Sequence, residues 1–409
     1  MDFNDSESEA KFRAEVREWL AENAPKFTAE AFRAREGGDT LDPIKLAKAW
    51  QGCKADAGYA CLLWPKEYGG RGATPMETVI YGQEEAKYPL PGGVFGIGIG
   101  MAGPVMMKYA TDEQKLRYLP KLLRGEEIWS QLFSEPCAGS DVAGLRTRAI
   151  KDGDDWIING QKVWTSGAHY SDYGIIVTRH DPSLPKHMGL TYFFLDMKSP
   201  GIEINRIKQI SGESNFCEVF FSDVRIPDSQ RLGEVGDGWS VALTTLMNER
   251  LAVGGASPPD FDEVFDSVCA TELESGPAIE DMSVREKLAD WYVQSRGIQL
   301  TTFRTMTALS RGQTPGPEAS IGKLVTAKKR QEIASFTMDL QEMGGVLMEN
   351  GGAEGSVYQE AYLSSPGGRI AGGTDEILMN IIAERVLGLP PDIRVDKKLP
   401  FSQLPTGDA

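Results

Sequence analysis

The stretch Asp155–Gly167, DWIINGQKVWTSG, decides how the rest of the chain is read. Trp156, Ile157 and Ile158 form one β-rich run, and Val163, Trp164 and Thr165 form another. Asn159-Gly160 between them predicts a hairpin turn, because both residues tolerate positive φ. Similar short runs follow: YGIIVTRH (173–180), TYFFLDM (191–197), GIEINRI (201–207) and CEVFFSDVRIP (217–227). Gly, Pro and Asp separate them, and no helical period is interleaved. Strands in such a row predict an antiparallel barrel or sandwich over residues 127–233.

Outward from this segment the texture is helical. SESEAKFRAEVREWLAENAP spaces Phe12, Val16, Trp19 and Leu20 as one helix face, and Pro25 ends it. DPIKLAKAWQGCKADAGYACLL repeats the pattern. In TDEQKLRYLPKLLRGEE, Thr111 is the expected N-cap, with Glu113 and Gln114 in the first turn. After residue 233 helices are expected at 239–256, 282–312, 315–343 and 374–388, lengths that suit an antiparallel bundle. The expected fold is mainly α with a central β domain: an N-terminal helical domain (1–126), the β domain (127–233), a C-terminal four-helix bundle (234–390) and a tail (391–409) that docks as an arm or stays partly disordered.

A net charge of −16 over 409 residues repels nucleic-acid phosphates and anionic membranes. The local exception, KLVTAKKR (323–330), is expected to be a solvated helix face. Cys53, Cys61, Cys137, Cys217 and Cys269 are scattered and odd in number, which argues against a disulfide framework and a structural zinc site. Reduced thiols, the acidic start MDFNDSESEAKF and the lack of a long apolar run lead to a cytoplasmic protein with no membrane span.

Few residues advertise chemistry alone. His169, His180 and His187 lack metal-ligand spacing, so no metal site is expected. GIGIGMAG (96–103) follows no predicted strand, so close helix packing is preferred to a dinucleotide site. RIAGGTDEIL (369–378) reads as a cofactor cradle, the seat of an acid, or a helix cap. SQLFSEPCAGSDVAGLRTRA (130–149) is more specific: a turn at Glu135-Pro136 followed by Ala138, Gly139 and Ser140 lets backbone N–H groups approach a ligand.

FSEPCAGSD, NGQKVWTSGA, EVFFSDVRIP, NERLAVGG, DLQEMGG and AGGTDEI…ERVLG occur in this order. Together, over nearly the whole chain, they resemble the FAD-dependent acyl-CoA dehydrogenases. The resemblance implies α,β-dehydrogenation of an acyl-CoA thioester, an electron-transfer flavoprotein-like acceptor, and a homo- or heterotetramer whose FAD groups touch neighbouring subunits. It implies that Phe133 and Ser134 lie along the flavin edge. Ser140 matches a position near the FAD pyrophosphate and the CoA arm, with Cys137 replacing a family glycine. Trp164, Thr165 and Ser166 match the run that packs on the flavin and hydrogen-bonds it. Without the resemblance, that run reads more readily as an ordinary strand with a buried Trp. Gln341, Gly344 and Gly345 match a segment at the adenosine end of a neighbour's FAD; Thr374 and Glu376 match cofactor contacts, and Gly373 and Arg250 match the substrate side.

The base needs a separate reading. Many relatives carry a Glu directly before the Gly-Thr of the C-terminal loop, where this chain has Gly372. Others place it on a bundle helix before an Arg, which here is Glu249-Arg250. Glu249 shares a predicted helix face with Ala242, Leu246 and Val253, and an acid on an apolar stripe is costly unless paired or functional. Glu249 is therefore the expected base. One departure stands out. The family's Arg-x-x-Phe-Gly segment, whose Arg meets a neighbour's FAD phosphate, is replaced by CATELESGPAIEDMSVREKL (269–288). Its acids would repel a pyrophosphate, so the chain reads either as an active enzyme or as one half of a heteromeric assembly with fewer FAD sites. An acyl-CoA oxidase-type flavoenzyme is a third reading.

Overall fold

The computed structural model describes residues 5–36, 42–253, 259–310, 316–348, 357–394 and 396–404. Two compact units emerge. The first holds the chain to Ile207, then Ser214–Glu249 and the segment from Arg394; the second holds Lys208–Glu213 and Arg250–Ile393.

The first unit begins with helices α1 (Glu7–Asn23), α2 (Ala29–Glu36), α3 (Pro43–Asp56), α4 (Pro75–Glu85), α5 (Gly103–Tyr109) and α6 (Asp112–Leu123). Capping boxes start three of them, at Ser6 with Glu9, Thr74 with Glu77 and Thr111 with Gln114. Each cap satisfies otherwise orphaned N–H groups and contributes about 1 kcal/mol. Phe12, Val16 and Leu20 of α1 bury into a cluster with Trp50, Tyr59 and Ile80. Within GIGIGMAG it is Gly103 that serves packing: a Cβ there would lie 2.2 Å from the Trp64 ring, whereas one on Gly96 would meet nothing within 4 Å.

Glu84, 2% exposed, sits in this helical layer. Burial pushes its carboxyl up, but hydrogen bonds from Arg17, Lys87 and Arg13 outweigh that and hold it down at about 2, against an ordinary 4.5. Its stabilising contribution is thus full above pH 4.5 and lost as pH falls toward 2. Urea midpoints measured from pH 6 to pH 2.5 should fall across that window, and Glu84→Gln should flatten the fall.

Strands β1 (Trp129–Leu132), β2 (Arg148–Asp152), β3 (Asp155–Ser166), β4 (Tyr173–Arg179), β5 (Leu190–Asp196), β6 (Ile202–Ile207) and β7 (Phe216–Pro227) form one sheet ordered β1-β4-β2-β3-β7-β6, with β5 also on β4. It is antiparallel except at β4, which β1 joins in parallel and β2 touches in parallel at one residue pair. β4 and β5 read as continuous apolar runs because they are buried on both faces. Ile175, Val177, Tyr192 and Phe194 meet the helical layer with Leu119 and Leu122. Ile176, Phe193 and Leu195 meet Trp156, Ile158, Val219 and Phe221 across the curl of the sheet.

Asn159-Gly160 is not a hairpin turn. β3 runs unbroken from Asp155 to Ser166, and the turn lies earlier, between Asp152 and Asp155, with Gly153 at φ 63°. The dipeptide instead marks a β-bulge against β7. Gly160 has φ 152°, and a Cβ there would meet Thr147 Oγ1 at 2.5 Å. Asn159 exchanges hydrogen bonds with Asp223 opposite, 2.9 Å and 3.0 Å. The two residues were chosen for close approach, not for reversal.

Helix α7 (Gly238–Val253) packs Val241, Ala242 and Thr245 against the sheet. The second unit contains α8 (Phe261–Ala270), α9 (Met282–Ser310), α10 (Ala319–Leu340), α11 (Val357–Gly368) and α12 (Asp375–Ile381). Helix α10 packs against α8, α9, α11 and α12. α8 and α11 fall outside the helices expected from periodicity, although the Asp260–Glu263 capping box announces α8. KLVTAKKR is no solvated face: Lys329 is 2% exposed and donates to Asp260 and Ser295, each at 2.5 Å. Among the described residues no helix is long and apolar enough to cross a membrane, and no metal-ligating cluster occurs.

Candidate functional site

β1 runs on into Phe133-Ser134-Glu135. The Ser134 carbonyl accepts from Val163 N–H at 2.9 Å, which lays this segment along the end of β3. There β3 breaks register with β7 between Lys162 and Thr165. The break sets Trp164 at φ 58° and leaves it 57% exposed. A bulky residue in that region is strained by roughly 1–3 kcal/mol and persists only where its surroundings enforce it. The ordinary-strand reading with a buried Trp is thereby excluded. Thr165 is 1% exposed, and its hydroxyl has no partner among the described residues. Buried polar atoms without partners are rare enough to need a reason. The Trp164 ring offers a flat apolar face at this end of the sheet, whereas the Thr165 hydroxyl faces the interior. Ser166 is half-buried at the end of the same strand.

The floor beneath is charged and dry. Lys162 Nζ is fully buried and donates to Phe133 O at 3.0 Å and Glu135 Oε1 at 2.8 Å. Glu135 also accepts Arg146 N–H at 2.6 Å and Thr147 N–H at 2.9 Å. Burial pushes the Glu135 carboxyl up, but the Lys162 charge and these donors together hold it below its usual range; burial pushes the Lys162 ammonium down. Ser140 is exposed on the loop that Glu135 closes.

Glu249, on α7, meets β1, the strand that leads into this floor. Thr245, one turn earlier, is fully buried and shares a 2.9 Å hydrogen bond with Tyr192 OH. Tyr192 packs edge-on against Phe133 with ring centroids 5.8 Å apart. Four residues after Thr245, on the same helix face, Glu249 accepts from Gln131 Nε2 at 3.5 Å. Gln131 lies two residues before Phe133. Tertiary structure thus gathers Glu249, Phe133, Ser134, Trp164 and Thr165 around one end of the sheet. The side chain of Arg250 lies outside the described residues.

The other expected residues belong to the second unit. Thr374 is the N-cap of α12, its Oγ1 accepting from Ile377 N–H at 3.2 Å. Gly372 and Gly373 have φ 65° and 98°, and Gly373 O accepts from Lys323 Nζ at 2.6 Å. Asp375 is buried and paired with Arg369 at 2.6 Å, whereas Glu376 is exposed. Gln341 ends α10. Gly345 is needed for packing, since its Cβ would sit 2.1 Å from Met338 O. Lys323 and Gln341 stand near opposite ends of α10, separated by about 27 Å of helix. Thr374 and Gln341 of one chain therefore cannot grip the same small group.

Gln131, Lys162, Tyr192 and Thr245 were not singled out in the sequence. A signal existed for Lys162: counting by two from Trp156 and Ile158 puts it on the inward side.

A strained, exposed aromatic on β3 and a carboxylate on α7 thus flank this end of the sheet. Comparison with known proteins identifies the family. Acyl-CoA dehydrogenase N-terminal, middle and C-terminal domains match residues 6–126, 130–224 and 236–387. The chain belongs to the acyl-CoA dehydrogenase family, whose members are FAD-dependent oxidoreductases acting on acyl-CoA. Acyl-CoA dehydrogenase IpdE1 of Mycolicibacterium smegmatis is 37% identical over 394 residues, 94% of this chain and 98% of that protein. The Tcur3481-Tcur3483 steroid ACAD superposes with a TM-score of 0.79 at 27% identity, covering 96% of this chain and 100% of that one. The ChsE4-ChsE5 complex from Mycobacterium tuberculosis gives 0.77 at 27% identity, with 96% and 100% covered.

Proposed function

We propose that this chain binds FAD and dehydrogenates a bulky acyl-CoA thioester at its α,β bond, with Glu249 as the base. The reading rests above all on the Gln131–Glu249 contact, which ties the one strongly expected acid to the strand that continues into Phe133 and Ser134. Glu249 removes the proton from the α-carbon. In water a carboxylate is too weak a base for this; exclusion of water by the bound thioester raises its pKa toward the working range. FAD, when bound, supplies the hydride acceptor for the β-hydrogen. Phe133 and Ser134 line that group, Trp164 offers it an apolar face, Ser166 at the half-buried strand end offers it a hydroxyl, and Thr165 backs the strand from within. Ser140 serves the phosphates of the ligand, and Gln341, Gly345, Thr374 and Glu376 serve a neighbouring subunit's cofactor. The family resemblance assigns Gly373 and Arg250 to the substrate.

Steroid side-chain thioesters are the first substrates to test, since the Tcur3481-Tcur3483 relative is a steroid enzyme. A heterotetramer is favoured over a homotetramer. Where relatives keep a phosphate-binding Arg, this chain has the small hairpin Glu272–Pro277 and the acids Glu272, Glu274, Glu280 and Asp281. Like charges there disfavour a second pyrophosphate. Expressed alone, the chain should bind less than one FAD per subunit, and co-expression with a partner dehydrogenase chain should raise occupancy and thioester-dependent dye reduction together. A full FAD complement and equal turnover without any partner would contradict the heteromeric reading but leave the dehydrogenase reading standing.

A further inference from the structure

The loop Glu135–Thr147 carries Ser140 at its exposed tip and is tied at its base from two sides. Glu135 binds the N–H groups of Arg146 and Thr147. Arg179, 4% exposed, binds the carbonyls: Nη2 to Ala143 O at 2.6 Å, Nε to Leu145 O at 3.0 Å and Nη1 to Lys186 O at 3.2 Å. Lys186 then reaches the tip itself, donating to Asp141 at 2.9 Å.

Each of the two cations is completed by the segment that begins at Asp396. The ring of Phe401 covers the guanidinium of Arg179, 3.5 Å from its centroid. Asp396 takes the second contact of Lys186 at 2.6 Å. Backbone bonds lock the segment down: Phe401 N–H to Leu184 O and Ser402 N–H to Pro182 O, both 2.9 Å, beside a β-bridge between Pro185 and Pro400. A guanidinium uses its edge for hydrogen bonds and leaves its face bare. An aromatic ring there adds a cation–π contact and keeps water from competing for the carbonyls. Burial lowers the Arg179 pKa to about 10, so the group remains charged at neutral pH and the tie persists.

We propose that the segment Asp396–Leu404 is a positioning clasp for the Glu135–Thr147 loop, in which Phe401 over Arg179 and Asp396 on Lys186 hold the loop tip in register for the phosphate groups of the ligand. This rests on the reading of Ser140 as a residue that faces those phosphates. The clasp residues touch no reacting atom; they act through Arg179 and Lys186.

The test uses the full chain with its flavin, and with its partner subunit if flavin binding requires one. Amide hydrogen exchange over residues 136–147 is followed by mass spectrometry, and kcat and KM are measured with an accepted acyl-CoA. Phe401→Ala and Asp396→Ala should each speed exchange of the loop amides and raise KM, the former by about tenfold, as loss of a desolvated cation–π contact implies. The kcat should stay within about twofold, because the chemistry is untouched. Phe401→Tyr, which keeps the ring, should restore both readouts. Ser140→Ala should raise KM with no change in loop exchange, and it tests the underlying reading separately. If Phe401→Ala does not fold, Asp396→Ala carries the test. Unchanged loop exchange in the clasp variants would overturn the proposal. So would faster exchange with unchanged KM; in that case the Ser140→Ala result tells whether the loop meets the ligand at all.

Discussion

Glu249→Gln should lower thioester-dependent flavin reduction by about 10³-fold or more, near the upper part of what a positioned general base contributes. The substitution is nearly isosteric and keeps a hydrogen-bonding partner for Gln131, whose amide lies 3.5 Å away. Folding and flavin content should therefore change little, while exchange of the substrate α-proton with solvent deuterium disappears. Stopped-flow absorbance and NMR of the recovered thioester check the two halves. Rival acids are poorly placed. Asp375 is buried against Arg369, and Glu376 is exposed. Turnover retained to within tenfold would move the base to another residue.

Lys162→Met should destabilise the protein by about 3–5 kcal/mol, the usual consequence of stripping the partner from a buried charge. Lys162 is fully buried and Glu135 is 5% exposed. Methionine fills similar space but leaves Glu135 with only neutral donors. The pH dependence should change sign as well. In the native pair the Glu135 carboxyl lies below its ordinary 4.5 despite burial, so its contribution is full above pH 4.5 and lost on acidification. Without the lysine charge, burial prevails and raises the carboxyl above 4.5. Stability is then greatest below that value and declines as pH rises through it. Urea denaturation at pH 4 and pH 7 separates the two behaviours. Glu135→Gln added to Lys162→Met should recover part of the loss.

Much of the layout was legible because local pattern encodes it. The N-cap at Thr111, the face Phe12–Val16–Leu20, and the runs that became β4, β5 and β7 needed no partner to be recognised. Helix α8 was missed although its capping box stood in the sequence, and Lys162 was missed although counting by two puts it inward. Asn159-Gly160 was misread for a deeper reason. The same dipeptide suits a reversal or a bulge, and only the approach of Thr147, just before β2, chooses between them. KLVTAKKR was misread likewise: nothing local to Lys329 announces Asp260, 69 residues away.

The family resemblance, not the pattern, led from Gly372 to Glu249; by its own pattern the sequence determined the helix–sheet–helix order, a turn at Glu135-Pro136 and the β-rich run at KVWTSG. These depend on period, turn chemistry and residue type, which act over a few residues. Tertiary structure alone decided the rest: the bulge that strains and exposes Trp164, the unsatisfied hydroxyl of Thr165, the Gln131–Glu249 contact, and the clasp of Phe401 on Arg179. Each arises where segments distant in sequence meet. Burial and hydrogen-bond satisfaction there are set by packing partners that no local window contains.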